Sequence, residues 1–249
     1  RQTLDDAWSL GRIISDGPIS SVYEAVPAAR NDSSIPHYAV KLLKQQWWEV
    51  SEAVTCFRRE YEIGRKLHCP HLIAVLEGRT DSPPYYVVMP LLNAMQLDHY
   101  TRLMRPIRLP SLLWMIRQTA EAVAAMHADG WLHGDIKPSN ILVSPEGHAT
   151  LIDLGFARRI EGEHHRFTQQ ITGSIEYIAP ENLLSRHGCD IRSDIYSLGV
   201  ILYELLTGRL PYRAGSLPQL IELHRSTTAT DIARLLPDLP EGIVALVRS

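Results

Sequence analysis

The chain has 249 residues, of which 45% are hydrophobic and 21% are charged, as is usual for a globular protein with a sizeable core. A formal net charge of −3 excludes the strongly basic surface of a nucleic-acid-binding or polybasic membrane-binding protein. No apolar run is long enough to span a bilayer, and the three cysteines lack metal-type spacing. We therefore expect a cytoplasmic protein with reduced thiols, without a nucleic-acid partner and without a membrane segment in this chain.

Residues 1–90 have the pattern of a small β-rich lobe. Apolar alternation over residues 8–14 and 20–26, around a turn with Gly and Pro, predicts a hairpin. Residues 38–43 are a third predicted strand, and the spacing of residues 51–67 predicts a helix. Two further apolar runs on either side of "TDSPP" predict a second hairpin.

The remainder of the chain is predicted to be mostly helical. Residues 111–130 have helical periodicity, with Ser111 as the predicted N-cap and Gly130 as the stop signal. Residues 193–208 are apolar on nearly every side, which predicts the central helix of a large core. The two parts together predict an α+β chain with a small and a large lobe.

A constellation of polar residues begins in "HGDIKPSNILV", residues 133–143. Asp135, Lys137 and Asn140 lie there at fixed spacing, and Asp153 follows in "LIDLGFA" after a predicted hairpin that would bring it near Asn140. Amide and carboxylate oxygens are the hard ligands that Mg²⁺ takes together with phosphates. Asp135 would accept a hydroxyl proton and Lys137 would neutralise a transferring phosphoryl group. The set therefore favours phosphoryl transfer.

These motifs stand in a familiar order with "YAVK" before them and "GSIEYIAPE" and "SDIYSLGVILYELLTG" after them. Over nearly its whole length the chain resembles the eukaryotic-type (Hanks-type) serine/threonine protein kinases, in particular the bacterial ones. The resemblance implies the bilobal kinase fold, with an ATP-binding lobe at residues 1–91 and a catalytic lobe at residues 92–249. It also implies ATP with Mg²⁺ or Mn²⁺ as cofactors, and a protein Ser or Thr as acceptor. A lone "DLG" occurs often by chance, whereas the ordered set is specific.

The resemblance assigns roles residue by residue. It gives catalysis to Asp135, Lys137 and Asn140, and the metal to Asn140 and Asp153. It gives the ATP phosphates to Lys41, with Glu60 as the partner of that lysine. The remaining nucleotide contacts that it implies are Gly17, Val22, Ala39, Met89 as gatekeeper, Pro90 and Leu92 through their backbone at adenine, Gln96 at the ribose, and Leu142. Asp194 is expected to brace the backbone of the catalytic loop.

Gly134 departs from the family, whose loop usually reads HRD. That Arg commonly pairs with a phosphorylated residue of the activation segment, a pairing that Gly cannot make. We hypothesise activation without it, to be tested at Thr168, Thr172 and Ser174; the alternative is simple backbone relaxation. HGD also occurs in aminoglycoside- and choline-kinase-like enzymes, so a small-molecule phosphotransferase is a further alternative. The motifs after residue 172 disfavour it.

Two further departures keep a pseudokinase, a binding or scaffold module, as the main alternative. In the nucleotide loop only Gly17 matches G-x-G-x-x-G, since Ser15 and Ser20 replace two glycines, which predicts weaker ATP binding. Gly64 replaces a bulky apolar residue of the family on the predicted helix. That helix is therefore expected to be mobile and to need a partner before Glu60 settles against Lys41.

The two ends of the sequence suggest a piece of a longer polypeptide. The chain opens without Met, and "EGIVALVRS" ends it where further helices of the kinase fold are expected. Other domains are therefore expected as covalent partners. The arginine that usually pairs with the Glu of "APE", here Glu181, would lie beyond the end, unless Arg248 replaces it.

Overall fold

The computed structural model describes residues 2–29, 35, 37–160, 175–184 and 190–249. The chain divides into two compact units. The first unit comprises residues 1–94 with 150–157, and the second comprises residues 95–149 with 158–249. Among the described residues, no helix is both long and apolar enough to cross a membrane.

The first unit is built on an antiparallel sheet of six strands. Their order across the sheet is β1-β2-β3-β4-β6-β5. The strands are β1 Gln2–Leu4, β2 Trp8–Asp16, β3 Ser20–Pro27, β4 Tyr38–Leu43, β5 Glu77–Arg79 and β6 Tyr86–Pro90. Both predicted hairpins are present, as β2–β3 and β5–β6. A core cluster that includes Trp8, Leu10, Val40 and Val88 packs on this sheet.

The predicted helix of the first unit is α1, Ser51–Lys66. Its buried face carries Ala53, Val54, Phe57, Glu60, Ile63 and Gly64. A 3₁₀ turn at Leu154–Phe156 packs against α1. A charged residue, Glu60, thus lies on the apolar side of an amphipathic helix, which marks it for a role other than packing.

Gly64 is a point of close approach, and no gap is left there. A Cβ atom at this position would lie 2.5 Å from Cγ2 of Val75, which is closer than atoms can pack. The N–H of Val75 donates to the carbonyl of Gly64 over 2.9 Å. Val75 therefore fills the space that a bulky residue at position 64 would take, and the expected mobility of the helix stays a prediction.

The second unit is mostly helical, as predicted. Its helices are α2 Leu97–Leu103, α3 Leu109–Ala128, α4 Pro180–Leu184, α5 Ile191–Thr207, α6 Leu217–Ser226, α7 Ile232–Leu235 and α8 Glu241–Arg248. Its short strands are β7 Met95–Gln96, β8 Trp131–Leu132, β9 Ile141–Val143, β10 Ala149–Leu151, which runs on into the first unit, and β11 Arg158–Arg159. The predicted hairpin closes at residues 144–148, where the N–H of Ser144 donates to the carbonyl of His148.

The predicted start of α3 was wrong. The helix begins at Leu109 with Arg108 as its N-cap, and Ser111 lies inside the first turn. Pro110 is tolerated there because the first N–H groups of a helix have no partner inside the helix. The predicted end is correct, since Gly130 follows the helix with a positive φ of 79°.

Helix α5 is the central helix that the sequence predicts. Asp190 caps its first turn by accepting a hydrogen bond from the N–H of Arg192 over 2.8 Å. Ile201 and Val200 are buried on it, and Tyr203 packs with residues of α7 and α8.

The proposed substitute partner for Glu181 is engaged elsewhere. Arg248 at the end of α8 forms an ion pair with Asp231 over 2.5 Å. Glu181 accepts a hydrogen bond from the hydroxyl of Ser193 over 2.9 Å. Arg248 therefore does not replace the arginine that the family uses.

Candidate active site

An ion network of three residues lies in the first unit, in which Glu60 is buried and Lys41 and Asp153 are half-buried. Nζ of Lys41, on β4, is 2.6 Å from Oε2 of Glu60 on α1 and 2.9 Å from Oδ1 of Asp153. Glu60 is 2% exposed, so its carboxylate relies on this ammonium group. Burial alone would lower the pKa of Lys41, but the Asp153 and Glu60 carboxylates raise it above its ordinary value. Lys41 therefore stays charged, which its predicted role in binding phosphate requires.

Glu60 and Lys41 form their ion pair within this chain, without a partner protein. Burial raises the pKa of the Glu60 carboxyl, and the Lys41 ammonium group opposes that rise. The structure thus differs from the expectation that a partner is needed to bring the two together.

Asp153 adopts a backbone conformation that is rare for its residue type. Its φ is 67°, in the left-handed region, and it precedes the 3₁₀ turn Leu154–Phe156. Aspartate tolerates this region better than most residues do, and such outliers concentrate at functional sites. The conformation directs the carboxylate to Lys41.

The predicted nucleotide residues of the first unit pair across the sheet. Val22 on β3 lies opposite Lys41, and Ala39 on β4 lies opposite Met89 on β6. Ala39 and Met89 are buried, whereas Val22 is half-buried. The sheet register therefore gathers these four residues on three adjacent strands.

The end of β6 leads into the segment predicted to meet adenine. Pro90 is the last residue of the strand and lies opposite Tyr38, and Leu92 follows with a half-buried side chain. The N–H of Leu91 donates to the carbonyl of His37 over 2.9 Å. Pro90 keeps a carbonyl but has no N–H, which is what the predicted role requires.

The nucleotide loop between β2 and β3 closes on itself. The N–H of Gly17 donates to the carbonyl of Ser20 over 3.0 Å. The hydroxyl of Ser21 donates to Oδ1 of Asp16 over 2.7 Å. The amide of the one matching glycine is therefore used inside the turn.

The segment after β4 holds this loop from the side. Nζ of Lys44 is 2.8 Å from Oδ1 of Asp16, and the backbone N–H of Lys44 donates to the carbonyl of Ile19. The indole N–H of Trp47 donates to the carbonyl of Pro18 over 3.0 Å. These bonds hold the loop in place. The loop also lacks two of the glycines that would have given its backbone more conformational freedom.

The second unit holds the three residues that are predicted to be catalytic. Nζ of Lys137 is 2.8 Å from Oδ2 of Asp135 and 3.1 Å from its Oδ1. Nδ2 of Asn140 donates over 2.8 Å to both the carbonyl oxygen and Oδ2 of Asp135. The loop thus gathers Lys137 and Asn140 around the carboxylate of Asp135, which is half-buried.

Asp194 on α5 braces this loop through its backbone. Its Oδ2 accepts from the N–H of His133 over 2.8 Å, and its Oδ1 accepts from the N–H of Gly134 over 2.9 Å. Nε2 of His127 on α3 lies 2.9 Å from Oδ2. Burial alone would raise the pKa of Asp194, but its hydrogen bond to His127 and the two N–H groups lower it.

Gly134 has a backbone conformation that explains its residue type. Its φ is 77°, in the left-handed region, where a side chain is unfavourable. The same residue presents its N–H to Asp194. The glycine thus allows the backbone, without strain, to turn between His133 and Asp135.

Gln96 and Leu142 lie opposite each other on β7 and β9. Nε2 of Gln96 donates to the carbonyl of Ser139 over 3.1 Å, next to the predicted catalytic residue Asn140. Leu142 is half-buried on the strand that follows the loop. Both predicted nucleotide residues of the second unit are therefore attached directly to the catalytic loop.

The segment before α4 packs on α5. The hydroxyl of Tyr177 donates to Oε2 of Glu204 over 2.6 Å, and the hydroxyl of Ser197 donates to the carbonyl of Tyr177. Burial and this hydrogen bond raise the pKa of Tyr177 above its ordinary value. The predicted phosphorylation candidates, Thr168, Thr172 and Ser174, lie outside the described residues.

Comparison with known proteins gives the family. Residues 8–240 match the family described as "Protein kinase domain". The chain belongs to the protein kinase family. The match covers both units of this kinase domain, including all predicted site residues.

Similar proteins include several bacterial serine/threonine-protein kinases. PrkC of Bacillus subtilis is 29% identical over 245 residues, which are 98% of this kinase domain and 37% of PrkC. PknA of Mycobacterium tuberculosis is 31% identical over 255 residues, covering 98% of the domain and 56% of PknA. PknH of Mycobacterium bovis is 30% identical over 240 residues, covering 96% and 39%. The chain thus spans between about a third and just over half of these curated relatives.

The predicted metal ligands of the kinase domain carry atoms suited to a divalent cation. Asn140 uses its Nδ2 to bond Asp135, which leaves the amide oxygen as its acceptor atom. Asp153 contributes a carboxylate. Oxygen donors of this kind are those that Mg²⁺ prefers.

Sequence reasoning missed two residues that organise the kinase site. His127 supports Asp194 from α3, and Arg59 donates from α1 to the carbonyl of Gly155 over 3.1 Å. A half-buried cation next to the predicted Glu60 could have pointed to Arg59. No local pattern marks His127, since its partner lies 67 residues away.

Proposed function

We propose that this kinase domain transfers the γ-phosphoryl group of ATP to Ser or Thr hydroxyls of a protein substrate. The arrangement of Asp135, Lys137 and Asn140 carries the proposal. A carboxylate held by an ammonium group at 2.8 Å and an amide at 2.8 Å is fixed in orientation. A fixed carboxylate can orient an incoming hydroxyl and accept its proton.

The other residues of the proposed mechanism supply positive charge. Lys137 lies beside Asp135 and would stabilise the charge on the group being transferred. Lys41, kept charged by Glu60 and Asp153, would bind the phosphates of ATP. Mg²⁺, with Asn140 and Asp153 as the proposed ligands, would neutralise phosphate charge when bound.

The nucleotide is proposed to bind residues in the motifs that resemble those of protein kinases. The residues proposed to bind it besides Lys41 and Glu60 are Gly17, Val22, Ala39, Met89, Pro90, Leu92, Gln96 and Leu142. We keep residues 1–91 as the proposed ATP-binding lobe and residues 92–249 as the proposed catalytic lobe. Because the nucleotide loop has a single matching glycine, whose amide is used within the loop, we propose weak ATP binding.

Serine and threonine are the proposed acceptors for two reasons. The similar proteins are named serine/threonine-protein kinases, and Lys137 follows Asp135 at the spacing typical of such enzymes. We further propose that the domain works in the cytoplasm, as part of a longer polypeptide, without the HRD arginine in its activation. The protein substrate is proposed only at the level of this residue class.

One observation favours a second candidate function. The loss of two glycines from the nucleotide loop suits a pseudokinase that binds nucleotide weakly and acts as a scaffold. That alternative predicts binding without transfer. The third alternative, a small-molecule phosphotransferase, predicts phosphoryl transfer to a small molecule and none to a protein.

Transfer of radiolabel from [γ-³²P]ATP with Mg²⁺ to a basic test protein, and to the chain itself, tests the proposal. We expect label on Ser or Thr, and loss of that label in Asp135→Asn by about 10²-fold or more. Asp238→Asn, which changes an exposed carboxylate far along the chain from the loop, is the matched control and should transfer normally. Nucleotide binding without any transfer by the unaltered chain would instead support the pseudokinase.

A further inference from the structure

Helix α1 is attached to the turn after Asp153 at a second place besides the ion network. Nη1 of Arg59 donates to the carbonyl oxygen of Gly155 over 3.1 Å. Arg59 precedes Glu60 in the helix, and Glu60 binds the Lys41 ammonium group that also binds Asp153. The helix therefore contacts the turn directly, through Arg59 and the carbonyl of Gly155. It is also linked to the Asp153 carboxylate through Lys41, which Glu60 binds.

The backbone of the turn approaches the helix very closely at this point. A Cβ atom at Gly155 would lie 3.3 Å from the carbonyl oxygen of Cys56 and 3.4 Å from its Cβ. Cys56 is one helical turn before Arg59 and Glu60, so the three residues form one contact patch. The absence of a side chain at Gly155 is what allows the patch to form.

The turn is closed by a backbone hydrogen bond. Its backbone hydrogen bond runs from the N–H of Ala157 to the carbonyl of Leu154 over 3.1 Å. Asp153 has a left-handed conformation that surrounding contacts must maintain. Charge-assisted donation by a guanidinium group is among the stronger hydrogen bonds available for this purpose.

We propose that Arg59 is a positioning residue that holds the turn of residues 153–157 on α1 and so fixes the direction of the Asp153 carboxylate. Lys41 fixes one oxygen of that carboxylate, and Arg59 fixes the backbone that carries it. The kinetic consequence rests on the proposed function, because Asp153 is a proposed metal ligand there. The structural consequence does not depend on it.

The neighbouring arginine provides a matched control. Nε of Arg58 donates to the carbonyl of Thr80 over 3.0 Å, which is the same type of bond made by the same helix to a different segment. Arg58→Met and Arg59→Met therefore remove equivalent bonds. They differ in whether the turn after Asp153 loses its support.

The test measures amide hydrogen exchange by mass spectrometry in the nucleotide-free chain, for Arg59→Met, Arg59→Lys and Arg58→Met. We expect Arg59→Met to speed exchange of residues 152–157 by roughly 10-fold or more, without a change in strand β4, as a local opening would. Arg59→Lys should restore part of the protection because it keeps a charged donor. Arg58→Met should leave these amides unchanged.

Kinetics provide the second arm, with a peptide substrate. Arg59→Met should lower kcat by about 10-fold and leave the peptide KM unchanged, since only a transition-state interaction is lost. Exchange at residues 152–157 that is unaltered in Arg59→Met, or altered equally in Arg58→Met, overturns the proposal. If the unaltered chain transfers no phosphoryl group, the proposed function fails, while the exchange result still decides the role of Arg59.

Discussion

At the scale of single residues, Gly134 shows how a departure from a motif can have a backbone cause. The sequence left two interpretations open, a change in regulation and simple backbone relaxation. The φ of 77° supports relaxation, because only glycine adopts that conformation at little cost. A side chain at position 134 would have to bear the strain of this backbone conformation. Activation without the arginine remains a prediction.

Gly134→Ala should lower the free energy of unfolding by about 1–2 kcal/mol, because alanine is strained at positive φ. Gly242→Ala is the control, since it lies in helix α8 with open space around the position of a Cβ. That variant should be neutral or slightly stabilising. Urea unfolding of the two variants measures the difference, and equal stability would contradict the role given to Gly134.

The ion pair of Lys41 with Glu60 should contribute to the stability of the chain. Lys41→Met leaves Glu60, which is 2% exposed, without its ammonium partner, and Asp153 loses the same partner. We expect a loss of stability of about 3–5 kcal/mol at neutral pH, as for other broken buried pairs.

The pH dependence of that variant follows from the sign of the shift. Without Lys41, burial keeps the folded-state pKa of Glu60 above its unfolded value of about 4.3. The variant should therefore be penalised less at pH 5 than at pH 7.5, because the protonated carboxyl needs no counter-charge. Urea titrations at the two pH values measure it, and a penalty independent of pH would count against an ionised Glu60.

At the scale of elements, periodicity predicted α1 but not all of its buried face. The spacing places Val54, Phe57, Tyr61 and Leu67 on one face, of which Val54 and Phe57 are buried and the other two half-buried. Glu60 and Gly64 are also buried on the helix. The reason is tertiary: an irregular segment supplies Val75, and a distant lysine supplies the counter-charge. Neither partner lies within the window from which a helical pattern is read.

Gly64→Ala should destabilise the chain by about 1–3 kcal/mol, since overpacking against Val75 outweighs the gain in helix propensity. Gly199→Ala, in the middle of α5 with nothing within 4 Å of the added Cβ, is the matched control. It should stabilise by up to about 1 kcal/mol. Thermal unfolding of both variants tests the pair, and stabilisation by both would show that α1 has room at Gly64.

At the scale of the whole molecule, the order of motifs predicted the family and the α+β architecture. The pairing of Lys41 with Glu60 came from the resemblance, whereas the contact between Lys41 and Asp153, which bridges 112 residues, was not predicted. The contact between His127 and Asp194 was not predicted, since helix α3 reads as an ordinary amphipathic segment. Local sequence patterns thus predict helices and strands, whereas contacts between residues distant in sequence can be read only from the folded structure.

The acid stability of the chain tests the contact between α5 and the catalytic loop. Asp194 has a lowered folded-state pKa, so its contribution is present above the unfolded value of about 3.9 and is lost as the pH falls through the folded value. Asp194→Asn should lower the free energy of unfolding at pH 7. It should also make that free energy fall less steeply as the pH is lowered into the acid range. Acid titrations followed by circular dichroism measure this, and an unchanged dependence on pH would remove Asp194 as a contributor.

The central claim is that this catalytic loop, with Gly134 in place of the family's arginine, transfers phosphoryl groups to Ser or Thr. The most direct measurement is the rate of transfer from Mg²⁺-ATP to a serine peptide by chain first treated with phosphatase, beside Asp135→Asn. We expect the dephosphorylated chain to transfer the phosphoryl group, and we expect Asp135→Asn to abolish that transfer. A chain that binds nucleotide but transfers only after it has itself been phosphorylated, or never, would contradict the account.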